Sequence, residues 1–182
     1  MATQAQVDEL RAKMAGERDA LAAALRGMAE DVAEYRPPDR DGEDGWSVKE
    51  QVVHLAQMDA RYRAWCERSV RQDRPDLDTP DDGAPAAPDE RPAFAIEQAH
   101  EAPLGRLVEE MDRQRDLTLA FIEGLSLDDL DRTSRNRMFG ELNVLQWLRS
   151  YYRHDRMHVA QVQGRPSEYQ PRFREGEPDQ RR

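Results

Sequence analysis

The amino-acid sequence predicts an all-α fold, a four-helix bundle in one domain. Three observations carry that reading. Apolar residues recur at steps of three, four and seven over four long stretches, the period of amphipathic helices. Polar connections and one long acidic, proline-rich segment separate the stretches, and no strong strand signal interrupts them. The 182 residues suffice for about one domain, and 38% apolar with 35% charged residues suits helices with charged outer faces.

The first stripe runs over residues 4–34 through Val7, Leu10, Met14, Leu21, Leu25, Met28 and Val32. Gly16 and the charges after it are expected to loosen its middle, and the prolines and glycines of RPPDRDGEDG end it. Ser47 and Glu50 form a capping box that opens the second helix. Its apolar face is Val48, Val52, Leu55, Met58, Tyr62, Trp65, Cys66 and Val70, with His54 on the flank beside Met58.

Residues 73–92, DRPDLDTPDDGAPAAPDERP, hold almost nothing that burial could set against ordering entropy. They read as a mobile acidic loop between the second and third helices, although such a loop can also act as a lid. The third helix spans about Pro103 to Gly124 on Leu104, Leu107, Val108, Met111, Leu117, Phe121 and Ile122. SLDDL reads as a short capped turn and RMFGELN as an irregular or extended connection. Asn143, with Gln146 three residues on, caps the fourth helix. Val144, Leu148, Tyr151, His158, Val159 and Val162 share its inward sector, with Trp147 and His154 at the edge. The bundle therefore occupies residues 1–165, and 166–182 form a charged tail expected to be at least partly disordered.

Charge and composition exclude several functions. A net charge of -10 and a pI near 5.0 argue against non-specific nucleic-acid binding. No signal peptide or membrane-length apolar run is visible, and the lone Cys66 fits a reducing compartment. A cytoplasmic protein is expected. No Ser-His-Asp arrangement, P-loop, dinucleotide fingerprint or cysteine zinc motif appears.

The chemistry concentrates in YYRHDRMHVAQ, residues 151–161. Imidazoles at i and i+4 stand about 6 Å apart at Cβ and can reach one cation. Two protein ligands rarely suffice, so His54 is the natural third, unless the histidines are hydrogen-bonded packing residues. His100 lacks a partner at ligand spacing and reads as solvated, and Cys66 lies too far along its helix from His54.

GWSVKEQVVHLAQMDARY, followed about a hundred residues later by YYRHDRMHVAQVQ, resembles the DinB/YfiT-like superfamily of metal-dependent enzymes. Trp46, Ser47, Glu50 and His54 match its first motif; His154, Asp155, His158 and Gln161 match its second. The likeness covers roughly residues 17–165, apart from the acidic loop. It implies a DinB-like bundle with a divalent metal on His54, His154 and His158, a small-molecule substrate and a homodimer. Three imidazoles suit Zn, Ni, Co or Fe without choosing among them. Glu50, Asp155 and Gln161 are candidates to orient the imidazoles. For Glu50 helix capping competes with that role, and for Asp155 an ion pair with a nearby arginine. Trp147, Tyr151 and Met58 are candidates to line a pocket, or simply core. The resemblance points to a thiol-dependent S-transferase of bacillithiol or mycothiol type, in which the metal activates the thiol. Hydrolysis by metal-bound hydroxide and a non-catalytic, stress-associated metal-binding protein are the alternatives.

Overall fold

The computed structural model describes residues 1–39, 42–81, 83, 88–165, 173–174 and 177–178. In chain order its helices are α1 (Gln4–Leu25), α2 (Glu30–Glu34), α3 (Val48–Arg71), α4 (Leu104–Glu123), α5 (Leu127–Leu130) and α6 (Val144–Val162). The start of each long helix except α4 follows from local chemistry. Thr3, Ser47 and Asn143 accept the backbone N–H three residues on, while Gln6, Glu50 and Gln146 reach back to the cap.

The long helices pack α1 on α6, α6 on α3 and α3 on α4. Arg18, donating to the Met111 carbonyl at 3.4 Å, and the Arg11–Glu123 ion pair close α4 back onto α1. The expected four-helix bundle is present. Its core has two apolar parts, one around Met14, Tyr62, Ile122, Trp147 and Tyr151, the other around Leu21, Leu55, Leu104, Leu107 and Met111. A charged layer lies between them in every long helix. Asp59 accepts from Arg115 at 3.0 Å and from Arg18 at 3.1 Å; Asp155 meets the same arginines at 3.0 and 3.3 Å.

Several expectations are corrected. The stripe over 4–34 is two helices, because Gly27 takes a φ of +73° and turns the chain between them; Val32 on the second is exposed. Gly16 leaves α1 unbroken. The connection before α6, expected to be irregular or extended, is extended and goes further, pairing as an antiparallel hairpin of β1 (Thr133–Asn136) and β2 (Gly140–Asn143), with Thr133 opposite Asn143. Its strands, TSRN and GELN, are short and polar, so they carry no strand signal. The hairpin is held instead by Ser134, whose hydroxyl accepts from Trp147 Nε1 at 2.9 Å and from Ser69 Oγ at 2.8 Å.

The start of the acidic loop is tied to this hairpin. Leu77 N–H donates to the Arg135 carbonyl at 2.8 Å, Arg135 N–H to the Pro75 carbonyl at 2.9 Å, and the Leu77 side chain is buried. Residues 82 and 84–87 of that loop lie outside the described residues. So does most of 166–182, apart from the short pairing of β3 (Phe173–Arg174) with β4 (Glu177–Pro178). Among the described residues, no helix is long and apolar enough to cross a membrane.

Candidate metal centre

Because α3 and α6 pack side by side, residues a hundred positions apart meet. His154 Nε2 lies 3.1 Å from His54 Nε2 and 3.1 Å from His158 Nε2. Among the described residues these three form the group whose ligand atoms all lie within 4.8 Å of one another. Nitrogens about 2.1 Å from one ion stand about 3.0 Å apart at right angles and about 3.4 Å apart in a tetrahedron, so the observed spacing fits a shared cation.

Electrostatics favours the same reading. Burial, reinforced by the charge of His154, lowers His54 to about 3. Burial likewise lowers His154 to about 4, against an upward pull from Asp59, and takes His158 well below the usual imidazole range. All three rings are therefore neutral near pH 7, with lone pairs available to a metal. Without a cation, three mutually facing nitrogens cannot all find a hydrogen-bond partner in one another, since a neutral imidazole carries only one N–H.

His158 Nδ1 is 3.3 Å from Gln51 Oε1, and Gln51 Nε2 donates to the Trp46 carbonyl at 3.3 Å. An amide oxygen can only accept, so Nδ1 carries the proton and Nε2 the lone pair. The Trp46 ring stands edge-on to His54 at 4.9 Å, and the Tyr62 ring approaches His154 at 6.2 Å. On the rim, Glu43 Oε1 is 3.7 Å from His54 Nε2.

The other sequence candidates are placed differently. Glu50 caps α3, binds the Arg36 guanidinium and lies 3.7 Å from His100 Nε2, and Asp155 is taken up by Arg18 and Arg115, so their described partners lie outside the three clustered imidazoles. Gln161 is half-buried one turn beyond His158. Trp147 packs tilted against Trp65 and edge-on against Phe139, and its Nε1 donates to Ser134 of the hairpin. Tyr151 donates to the Asp59 carbonyl at 2.8 Å inside the core, and Met58 packs partly buried against the same cluster. His100 is not simply solvated: its Nε2 lies 3.3 Å from Ser47 Oγ at the start of α3. Gln51 and Glu43 were missed. Gln51 sits three residues before His54 on one helix, a readable signal; Glu43 lies in a turn whose direction no periodicity reports.

Comparison with known proteins finds likenesses of both sequence and fold. A family model, that of the DinB superfamily, matches residues 13–162. Uncharacterized protein YuaE of Bacillus subtilis (strain 168) is 24% identical over 143 residues, 76% of this chain and 85% of that protein. Among solved structures, YfiT from Bacillus subtilis is described as a probable metal-dependent hydrolase with an unusual four-helix bundle topology. It superposes with a TM-score of 0.68 at 16% identity, covering 90% of this chain and 87% of that one, a likeness of fold.

Proposed function

The chain belongs to the DinB superfamily, and on that premise we propose that it is a divalent-metal-dependent enzyme whose metal is held by His54, His154 and His158. The observation that carries the proposal is the convergence of three neutral imidazoles, with Nε2 of His54 and of His158 each 3.1 Å from Nε2 of His154. A divalent ion held by these three imidazoles would supply a Lewis acid able to acidify a water or thiol and to polarise an electrophile.

The chain's own residues perform the rest. Gln51 keeps the proton on His158 Nδ1, and Trp46 and Tyr62 restrict how the His54 and His154 rings can lie. Hydrolysis of a small-molecule substrate is the reading that the description of YfiT supports. The thiol-dependent S-transferase of bacillithiol or mycothiol type, suggested by the resemblance of the two histidine motifs, is the second reading. The chain's own cysteine, Cys66, is buried and its thiol is raised by burial, so a sulfur nucleophile would have to come from a small external thiol. The acidic charge of -10 fits a small molecule better than nucleic acid.

The test begins with metal content. Wild-type protein should bind one divalent ion per chain, and His54→Ala and His158→Ala should lose it. Retention of wild-type stoichiometry by both variants would overturn the assignment. Loaded protein is then assayed on ester and amide substrates and, separately, for conjugation of model electrophiles to low-molecular-weight thiols.

A further inference from the structure

Three neutral imidazoles contribute no charge, so a divalent ion among them brings two positive charges to a site where His158 is fully buried. Such charge is costly unless an anion stands close. The buried carboxylates nearby are directed elsewhere: Glu50 to Arg36 and Ser47, Asp59 and Asp155 to Arg18 and Arg115. Among the described residues, Glu43 is the carboxylate placed against one of the clustered nitrogens, with Oε1 3.7 Å from His54 Nε2.

Local structure delivers it there. Gly42–Gly45 form a single 3₁₀ turn, with Gly42 at a φ of +60°. The Trp46 N–H donates to the Glu43 carbonyl at 3.2 Å, and the Trp46 ring packs on His54. One tryptophan thus fixes the turn and the imidazole together. The Glu43 side chain is 45% exposed, so it stands between the imidazoles and solvent. It falls outside the group with mutual separations within 4.8 Å. Two ligands of one ion can be no more than about 4.2 Å apart at bond lengths near 2.1 Å. Glu43 therefore belongs one layer out.

We propose that Glu43 is a positioning residue of this centre: an anionic acceptor on its open side that offsets the ion's charge and orients the protonated ligand sharing the ion with the histidines. The inference rests on the metal-dependent reading above and deepens it.

The experiment is a competition titration of zinc against a chromophoric chelator for wild-type, Glu43→Gln, Glu43→Asp and Glu43→Ala proteins. Loss of the charge in Glu43→Gln should raise the Kd for zinc about tenfold, the scale seen when a partner just outside the ligands is removed. Glu43→Ala should do at least as much, and Glu43→Asp should recover part of the affinity. The metal-free melting temperatures should coincide, because a half-exposed turn residue contributes little to folding. Wild-type zinc affinity in both Glu43→Gln and Glu43→Ala overturns the role given to Glu43 and leaves the three-histidine centre standing. A wild-type protein that binds no zinc, cobalt, nickel or iron overturns both.

Discussion

Across the packing of α3 on α6, Gln51 Oε1 lies 3.3 Å from Nδ1 of His158. The glutamine is itself buried and anchored through its amide nitrogen to the Trp46 carbonyl, so it cannot turn to offer its N–H₂ without losing that bond. It holds one tautomer of a fully buried ring, the one whose Nε2 lone pair points at the other two imidazoles.

Gln51→Leu should therefore weaken zinc binding about 10- to 100-fold while keeping the helix content of the wild type. The variant retains all three ligands, which separates loss of orientation from loss of a ligand. Competition titration reads the effect, and far-UV circular dichroism checks the fold. Unchanged affinity would mean that packing alone fixes the His158 ring.

Acid should destabilise the metal-free protein through the same cluster. The folded pKa of His54 is about 3 and that of His154 about 4, both below the ordinary 6.5. Below pH 6.5 the unfolded chain takes up protons that the folded chain refuses. The stability from keeping these rings neutral is fully present above 6.5 and is lost as pH falls towards 3 to 4, by up to about 1.4 kcal/mol per pH unit per histidine. Urea unfolding in EDTA at about pH 7 and about pH 4.5 should show a steeper loss for wild type than for His54→Ala. Parallel losses would show that the carboxylates, not this histidine, dominate acid unfolding.

What the sequence revealed and what it hid divide along a physical line. The caps at Ser47 and Asn143 were legible because each is completed by a residue three positions on. His154 and His158 were legible as a pair for the same local reason, and His54 joined them through position on a predicted face and resemblance to a family. Glu43 and the Arg18–Asp59–Arg115–Asp155 layer were not, since their partners lie on other elements and depend on how helices dock. The β1–β2 hairpin escaped because its stabilising contact, Trp147 to Ser134, is tertiary. Burial of Leu77 escaped because a single leucine among aspartates has no period to report.

The charged layer makes a prediction of its own. Asp59 and Arg115 are both buried, and Asp59 accepts two hydrogen bonds from Arg115 at 3.0 Å and a third from Arg18 at 3.1 Å. Asp59→Ala leaves two buried guanidinium groups sharing Asp155, with only the half-exposed Asp112, 3.6 Å from Arg18, beside it, which should cost about 3–5 kcal/mol in urea unfolding. A loss below about 1 kcal/mol would mean that water enters the layer and hydrates the arginines.

Cys66 tests the source of any sulfur chemistry. It lies fully buried among the apolar residues of the core, and burial raises its thiol above the usual cysteine range, so the reactive thiolate is scarce at neutral pH. A disulfide reagent such as DTNB should modify the native protein far more slowly than protein unfolded in guanidinium, where one thiol per chain should react. Cys66→Ala should keep the zinc stoichiometry of wild type, and any conjugation of a small thiol to an electrophile should continue in it. Such turnover would then owe its sulfur to the added thiol and its activation to the centre built on His54, His154 and His158. Turnover that disappears in a folded, zinc-loaded Cys66→Ala protein would instead require the core to open and expose this cysteine.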